Sequence, residues 1–308
     1  MSHYQTSLGL TVTTIESRIL ESPVYSVTDP MNMIFPYNIG NSLWSASIDL
    51  IEYIETQTDW INKSKTQKNK INIIELGAGC GSVGMVLWKH GFKVTLTDIN
   101  EMIPIMNENI QYNQLSEKVD NIKTLYDNHE EFRKICDDTT NDPNLSIQAE
   151  CLDWCQYSTA SHIYETKGPF NYIIAAEISY DDDLHHDFIE TLLILCGLSD
   201  DKNHPWNHDD NDDKILFLEN VRILIAIPHR DNDEELINHA IAKGFTCKIV
   251  KLIEPNQQHS SCIAIYELIP PFNNIHINKK SKTLIKVSKR REDIEIDEIN
   301  IKRTKNDK

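Results

Sequence analysis

The chain has 308 residues, 40% of them hydrophobic, and a formal net charge of -17. That length suits one large α/β domain with additions or two small ones, and the lack of an apolar run of about 18 residues excludes a transmembrane helix. Charge is uneven: from Phe272 onward there are 11 Lys/Arg against 6 Asp/Glu, and before it 19 against 41. An acidic body argues against nucleic acid as substrate and for a basic partner surface. Met1-Ser2-His3-Tyr4-Gln5 lacks the charged-then-apolar layout of a signal peptide, and seven scattered cysteines fit reduced thiols better than a disulfide framework. The expectation is a cytoplasmic or nuclear monomer with no membrane contact.

In chain order, residues 8–28 alternate polar and apolar around Glu21-Ser22-Pro23, which predicts a β-hairpin or two edge strands. Asn41 or Ser42 caps a helix running to about Thr58, with Trp44, Ile48 and Ile51 on one side. Residues 62–70 form a polar linker. A regular alternation follows. Strands are predicted at 71–76, 92–97, 146–152 and 172–176, and helices at 83–90, 101–112 and 184–198. A strand at 214–227, a helix at 234–242 and strands at 245–253 and 262–268 complete the series. Strands alternating with helices imply βαβ units and a mostly parallel sheet. Two late strands with no helix between them imply an antiparallel finish. Residues 115–144, with a short helix near Glu130–Cys136, and the acidic run 199–213 read as insertions. The tail from 272 reads as charged and disordered, with a strand near Ile294–Ile299 as an option.

The first strand ends in Glu75 and runs into Gly77-Ala78-Gly79-Cys80-Gly81 before a helix. Glycines there let the backbone turn tightly and approach a ligand without Cβ clashes. The dinucleotide pattern G-x-G-x-x-G needs a glycine where Ser82 stands, so the spacing favours S-adenosylmethionine (AdoMet) without excluding a dinucleotide. Asp98 ends the next strand 21 residues after Gly77, where a carboxylate can accept both ribose hydroxyls of an adenosine, with Ile99 beside it. Capping of the following helix is the structural alternative. Leu152-Asp153-Trp154 and Ala176-Glu177-Ile178-Ser179-Tyr180 follow later strands, at the carboxyl edge where open α/β sheets bind ligands. A carboxylate and an aromatic ring suit a cationic amine. A nucleobase-amine motif would need prolines where Ile178-Ser179 stand. His185, His186, His204 and His208 lack a second ligand cluster, so no metal site is assigned.

Together these residues resemble the methyltransferase-like protein-lysine methyltransferases, also called family 16, over roughly residues 40–200 and more weakly to about 270. The run around Glu177-Ile178-Ser179-Tyr180-Asp181 resembles most the twenty-two branch of that family. The resemblance implies a class I AdoMet-dependent fold, a Rossmann-like seven-stranded sheet with its last strand antiparallel. The domain would span 40–271, after an N-terminal extension, 1–39, and before the tail, 272–308. It implies AdoMet as cofactor, held by Trp44, Glu75, Gly77, Ala78, Gly79, Gly81, Asp98, Ile99, Asp153, Trp154 and Ala176. An acid at the Glu75 position is expected to order the turn and lie near the cationic methionine moiety. Glu177 and Tyr180 are implied as catalytic residues beside the substrate, a lysine of a non-histone protein with a basic surface. Most members carry Asp at the Glu177 position; a histidine-methylating branch also carries Glu, which keeps a histidine target open. A small-molecule methyltransferase and a non-catalytic AdoMet-fold module are the other readings. Because a carboxylate beside an amine favours the ammonium, Glu177 is assigned to substrate capture, and Glu177→Ala is expected to lose turnover but keep AdoMet binding.

Overall fold

A computed structural model of the protein describes residues 3–5, 11–13, 44–57, 71–115, 146–198, 221–228, 233–255 and 262–271. The predicted linker, both insertions and the tail lie outside these residues. Two short strands, β1 (His3–Gln5) and β2 (Thr11–Thr13), pair antiparallel, His3 opposite Thr13. Thr11–Thr13 falls in the stretch read as a β-hairpin or two edge strands, and its observed partner lies upstream of that stretch; the second strand near Val24–Val27 lies outside the described residues.

The main sheet has seven strands. In chain order the elements are α1 (Ser45–Thr56), β3 (Asn72–Leu76), α2 (Ser82–Lys89), β4 (Lys93–Asp98), α3 (Ile103–Leu115) and β5 (Ile147–Cys151). They continue with α4 (Tyr157–Lys167), β6 (Tyr172–Ala176), α5 (His185–Leu195), β7 (Arg222–Pro228), α6 (Asp233–Ala242), β8 (Thr246–Ile253) and β9 (Ile263–Ile269). The strand order is β5-β4-β3-β6-β7-β9-β8. All pairings from β5 to β7 are parallel, and β9 runs antiparallel to both neighbours. This order, with only the last strand reversed, is the class I AdoMet-dependent methyltransferase architecture.

Period-two alternation explains the layering. On β6, Tyr172, Ile174 and Ala176 join the core beneath α1, α2 and α3, while Ile173 and Ala175 join the core beneath α4, α5 and α6. On β7, Leu224 and Ala226 face the first layer, and Ile223, Ile225 and Ile227 the second. Each fully buried Leu or Ile of this kind contributes about 1.5–3 kcal/mol. Helix α4 was missed from sequence because its apolar contribution is only Ala160, Ile163 and Tyr164, set among Ser, Thr and His. Those three still sit one helical turn apart and cover the second layer.

The consequence for function lies in the order of crossing. From β3 the chain steps outward to β4 and β5, then returns to the far side of β3 as β6. The crevice at such a switch point, beyond the carboxyl ends of the strands, is where open α/β sheets bind ligands. Leu76 is in register with Ala175, so the segments beginning at Gly77 and Glu177 emerge side by side.

Candidate active site

The glycine turn is built by backbone conformations that L side chains avoid. Gly77, Gly79 and Gly81 have φ of 60°, 55° and 81°. A Cβ on Gly77 would stand 3.0 Å from Ile178 Cγ2 and 3.3 Å from Trp154 Cζ2. The turn is pinned from β4: Ala78 N–H donates to Thr97 O (2.9 Å) and Gly79 N–H to Asp98 Oδ2 (2.8 Å). Asp98 Oδ1 accepts from Ile99 N–H at 2.7 Å. The carboxylate thus faces the glycine turn, and Ile99, not Asp98, is the N-cap of the 3-10 turn Asn100–Met102. Burial raises the Asp98 pKa, and the Gly79 and Ile99 N–H bonds oppose that rise.

Glu75 works from behind the turn. It is 3% exposed, and its Oε2 accepts from Gly84 N–H of α2 at 2.7 Å. Burial pushes its pKa far above the ordinary carboxylate range, to about 8. The folded state therefore holds a proton that the unfolded chain has lost, so this contribution to stability is full below the unfolded pKa and fades as pH rises toward 8. Glu75→Gln keeps an acceptor for Gly84 but cannot titrate. In urea denaturation of the AdoMet-free protein across pH 5–8, its stability is expected to fall less steeply than that of the parent; parallel curves would rule this out.

A cavity of about 400 Å³ opens at the switch point. It is lined by Trp44, Gly77, Ala78, Gly79, Asp98, Ile99, Asp153, Trp154 and Ala176 of the expected cofactor set, and by both Glu177 and Tyr180. Glu75 and Gly81 do not line it. Both belong to the turn, but as supports: Glu75 holds α2, and Gly81 is the α2 N-cap, where a Cβ would stand 2.7 Å from Leu96 Cδ1. The Glu75–Gly84 bond agrees with the expectation that Glu75 orders the turn. Sequence reasoning missed Ser47, Cys80, Ser82, Met102, Ile178, Asp181 and Leu184, which also line the cavity. Ser47 lies one turn after Trp44 and could have been read from that spacing; nothing in the sequence marks Met102 or Leu184.

Trp154 is both core and wall. It is 9% exposed, meets Phe188 edge-on with centroids 4.9 Å apart, and lines the cavity. Opposite, Trp44 and Tyr180 are 41% and 54% exposed. Large exposed aromatics on the wall of an open cavity mark a binding surface. Burial, then the negative charges of Asp98 and Asp181, raise the Tyr180 pKa, so its phenol is neutral at physiological pH. Asp181 accepts from Asp183 N–H (3.1 Å) and caps the 3-10 turn Asp182–Leu184.

Glu177 is held at φ 57°, in the left-handed region, which costs a residue with a side chain about 1–3 kcal/mol. Its N–H donates to Ala226 O at 2.9 Å. Its carboxylate Oε1 accepts from Ala46 N–H at 3.2 Å and Ser45 Oγ at 3.4 Å. Its carboxylate thus reaches the start of α1, 131 residues away in the sequence. Among the described residues no group of three or more His, Cys, Asp or Glu could hold a metal ion; His204 and His208 lie outside them.

Residues 34–142 match the family model described as lysine methyltransferase. Over that stretch the chain resembles the family 16 methyltransferases. EEF1A lysine methyltransferase 3 of Xenopus tropicalis is 26% identical over 161 residues, which are 52% of this chain and 54% of that protein. The chain thus spans about half the length of this curated relative. Among solved structures, magnesium protoporphyrin IX methyltransferase from Synechocystis PCC 6803 is 11% identical, covering 72% of this chain and 84% of that one, with a TM-score of 0.39. An AdoMet-dependent methyltransferase from Agrobacterium tumefaciens is also 11% identical, covering 74% and 63%, with a TM-score of 0.42. AdoMet is the cofactor that this resemblance implies, and the residues lining the cavity fit it. Gly77 and Gly79 leave a cradle that side chains would fill, and Asp98 stands where ribose hydroxyls can donate to it.

Proposed function

We propose that the protein transfers a methyl group from AdoMet to a lysine side chain of a non-histone protein, at a site with a basic surface. The observation that carries this reading is the placement of Glu177 and Tyr180 on the wall of the cavity whose floor is the glycine turn. AdoMet, which Gly77, Gly79 and Asp98 would hold, would supply the methyl group for an in-line transfer to the acceptor nitrogen. Such a displacement needs alignment more than functional-group chemistry. The chain's own residues provide that alignment. Tyr180 presents an exposed ring to a cationic side chain, an attraction of about 0.5–2 kcal/mol. The Glu177 carboxylate favours the ammonium form, which suits capture. Loss of the ammonium proton to solvent precedes attack, and at pH 7 costs a free lysine roughly 4–5 kcal/mol. Protein substrates, rather than small molecules, are supported by the family and by the acidic body of the chain.

The test is incubation of the purified protein with methyl-labelled AdoMet and cell lysate, followed by mass spectrometry of labelled protein bands. Label on lysine is the expected result; label on histidine supports the second reading, which the glutamate at 177 keeps open. Label confined to small molecules, or none, overturns the proposal. With the labelled band as substrate, Tyr180→Ala is expected to raise its KM by about tenfold, with AdoMet affinity held. Tyr180→Phe, which keeps the ring, should stay near the parent. Equal KM values for all three would remove Tyr180 from the acceptor site.

A further inference from the structure

Among the described residues, helix α1 begins without a side-chain cap from its own N-terminal residue. Trp44 stands at its N-cap position and makes no side-chain capping bond, and the first turn carries no acid. The leading N–H groups of a helix have no intrahelical partner and favour negative charge. Here that charge arrives from 131 residues away: Glu177 Oε1 takes the Ala46 N–H. The same oxygen takes the Ser45 hydroxyl. The bond therefore ties together two walls of one cavity. Trp44 and Ser47 come from the start of α1, and Glu177 comes from the end of β6. Glu177 itself is clamped in a left-handed conformation by its N–H bond to Ala226 O. A strained residue fixed on both sides is a held part, not a mobile one.

We propose that Glu177 is a positioning residue for the cofactor: it caps α1 across the cavity and so holds Trp44 and Ser47 against AdoMet. The inference rests on AdoMet occupying this cavity. One side chain then serves both ligands, which makes the two binding events coupled and the coupling reciprocal. It also gives a reason for glutamate here. At 3.2 and 3.4 Å the two bonds are already long. An aspartate, shorter by one methylene, would draw its oxygens back from α1. The expectation that Glu177→Ala spares AdoMet binding changes with this geometry.

The experiment is calorimetric titration of AdoMet into the full chain and its variants, with a thermal melt of each. Glu177→Gln keeps an amide oxygen for Ala46 and Ser45, and should bind AdoMet within about threefold of the parent while turnover drops. Glu177→Ala, Glu177→Asp and Glu177→Gly should each bind at least tenfold more weakly. Glycine relieves the left-handed backbone, so Glu177→Gly should melt no lower than Glu177→Ala, which separates loss of the cap from misfolding. Parental affinity in the Ala and Gly variants overturns the inference, as does a Gln variant as weak as Ala. Failure of the parent itself to bind AdoMet overturns the methyltransferase reading instead.

Discussion

Asp98→Ala is expected to weaken AdoMet binding by at least 100-fold in calorimetric titration, with the fold retained. Two losses combine. The first is the pair of ribose hydroxyl bonds to an ionised acceptor, each worth about 1.5–3 kcal/mol, which together span roughly 10²–10⁴-fold in affinity. The second is internal. Asp98 Oδ2 fixes the Gly79 N–H and Oδ1 fixes the Ile99 N–H, so removal also loosens the turn and the cavity wall that Ile99 forms. Each carboxylate oxygen has two lone pairs, and the backbone takes one on each side, leaving capacity for one hydroxyl apiece. Asp98→Asn keeps one good acceptor and should fall between. Affinity should also decline on acidification, since protonated Asp98 accepts poorly, and burial moves that decline to higher pH than for an exposed aspartate. An Ala variant that binds as the parent does would refute the ribose assignment.

The parts of this site that were legible in sequence are those where chemistry restricts residue type. Gly77 and Gly79 announce a positive-φ turn because few other residues tolerate it. Asp98 announces itself by position at a strand end, and Glu177 with Tyr180 by polarity after the wholly apolar strand β6. The mostly parallel sheet with an antiparallel finish was likewise readable from alternation, whereas the order of its seven strands was not. What stayed hidden depends on distances across the fold. That Glu75 reaches the Gly84 N–H of α2 follows from strand period and from which layer covers it, not from its motif. The reach of Glu177 to Ala46 joins segments 131 residues apart that no local pattern connects. Met102 and Leu184 line the cavity as ordinary apolar residues whose neighbours happen to be ligand-facing. The missed α4 shows the same limit from the opposite side: three buried residues suffice for a helix once a sheet is there to cover.

The other large effect is on stability, at a glycine outside the motif itself. Gly84→Val is expected to destabilise the protein by about 3 kcal/mol or more, and Gly84→Ala by about 1–2. Helix propensity alone predicts the reverse for alanine, a gain of about 1 kcal/mol over glycine. Packing decides the sign. A Cβ on Gly84 would stand 2.3 Å from Leu96 Cδ2, 2.6 Å from Glu75 Oε2 and 3.0 Å from Val94 Cγ1. Leu96 and Val94 are buried in the first core layer, so neither can swing into solvent, and overpacking of this kind costs about 1–3 kcal/mol. Forcing α2 off the sheet also stretches the Gly84 N–H bond to Glu75, stranding a buried carboxyl at a further cost of about 1–3 kcal/mol. Valine adds two methyl groups to the same clash. Against a total stability of about 5–15 kcal/mol, the valine variant should lose roughly 6–12 °C in Tm, measured together with urea midpoints. An unchanged midpoint for valine would mean that α2 has room to move. It would also mean that the Glu75–Gly84 bond is not what fixes the glycine turn, since that turn is strung between the strand carrying Glu75 and the helix carrying Gly84.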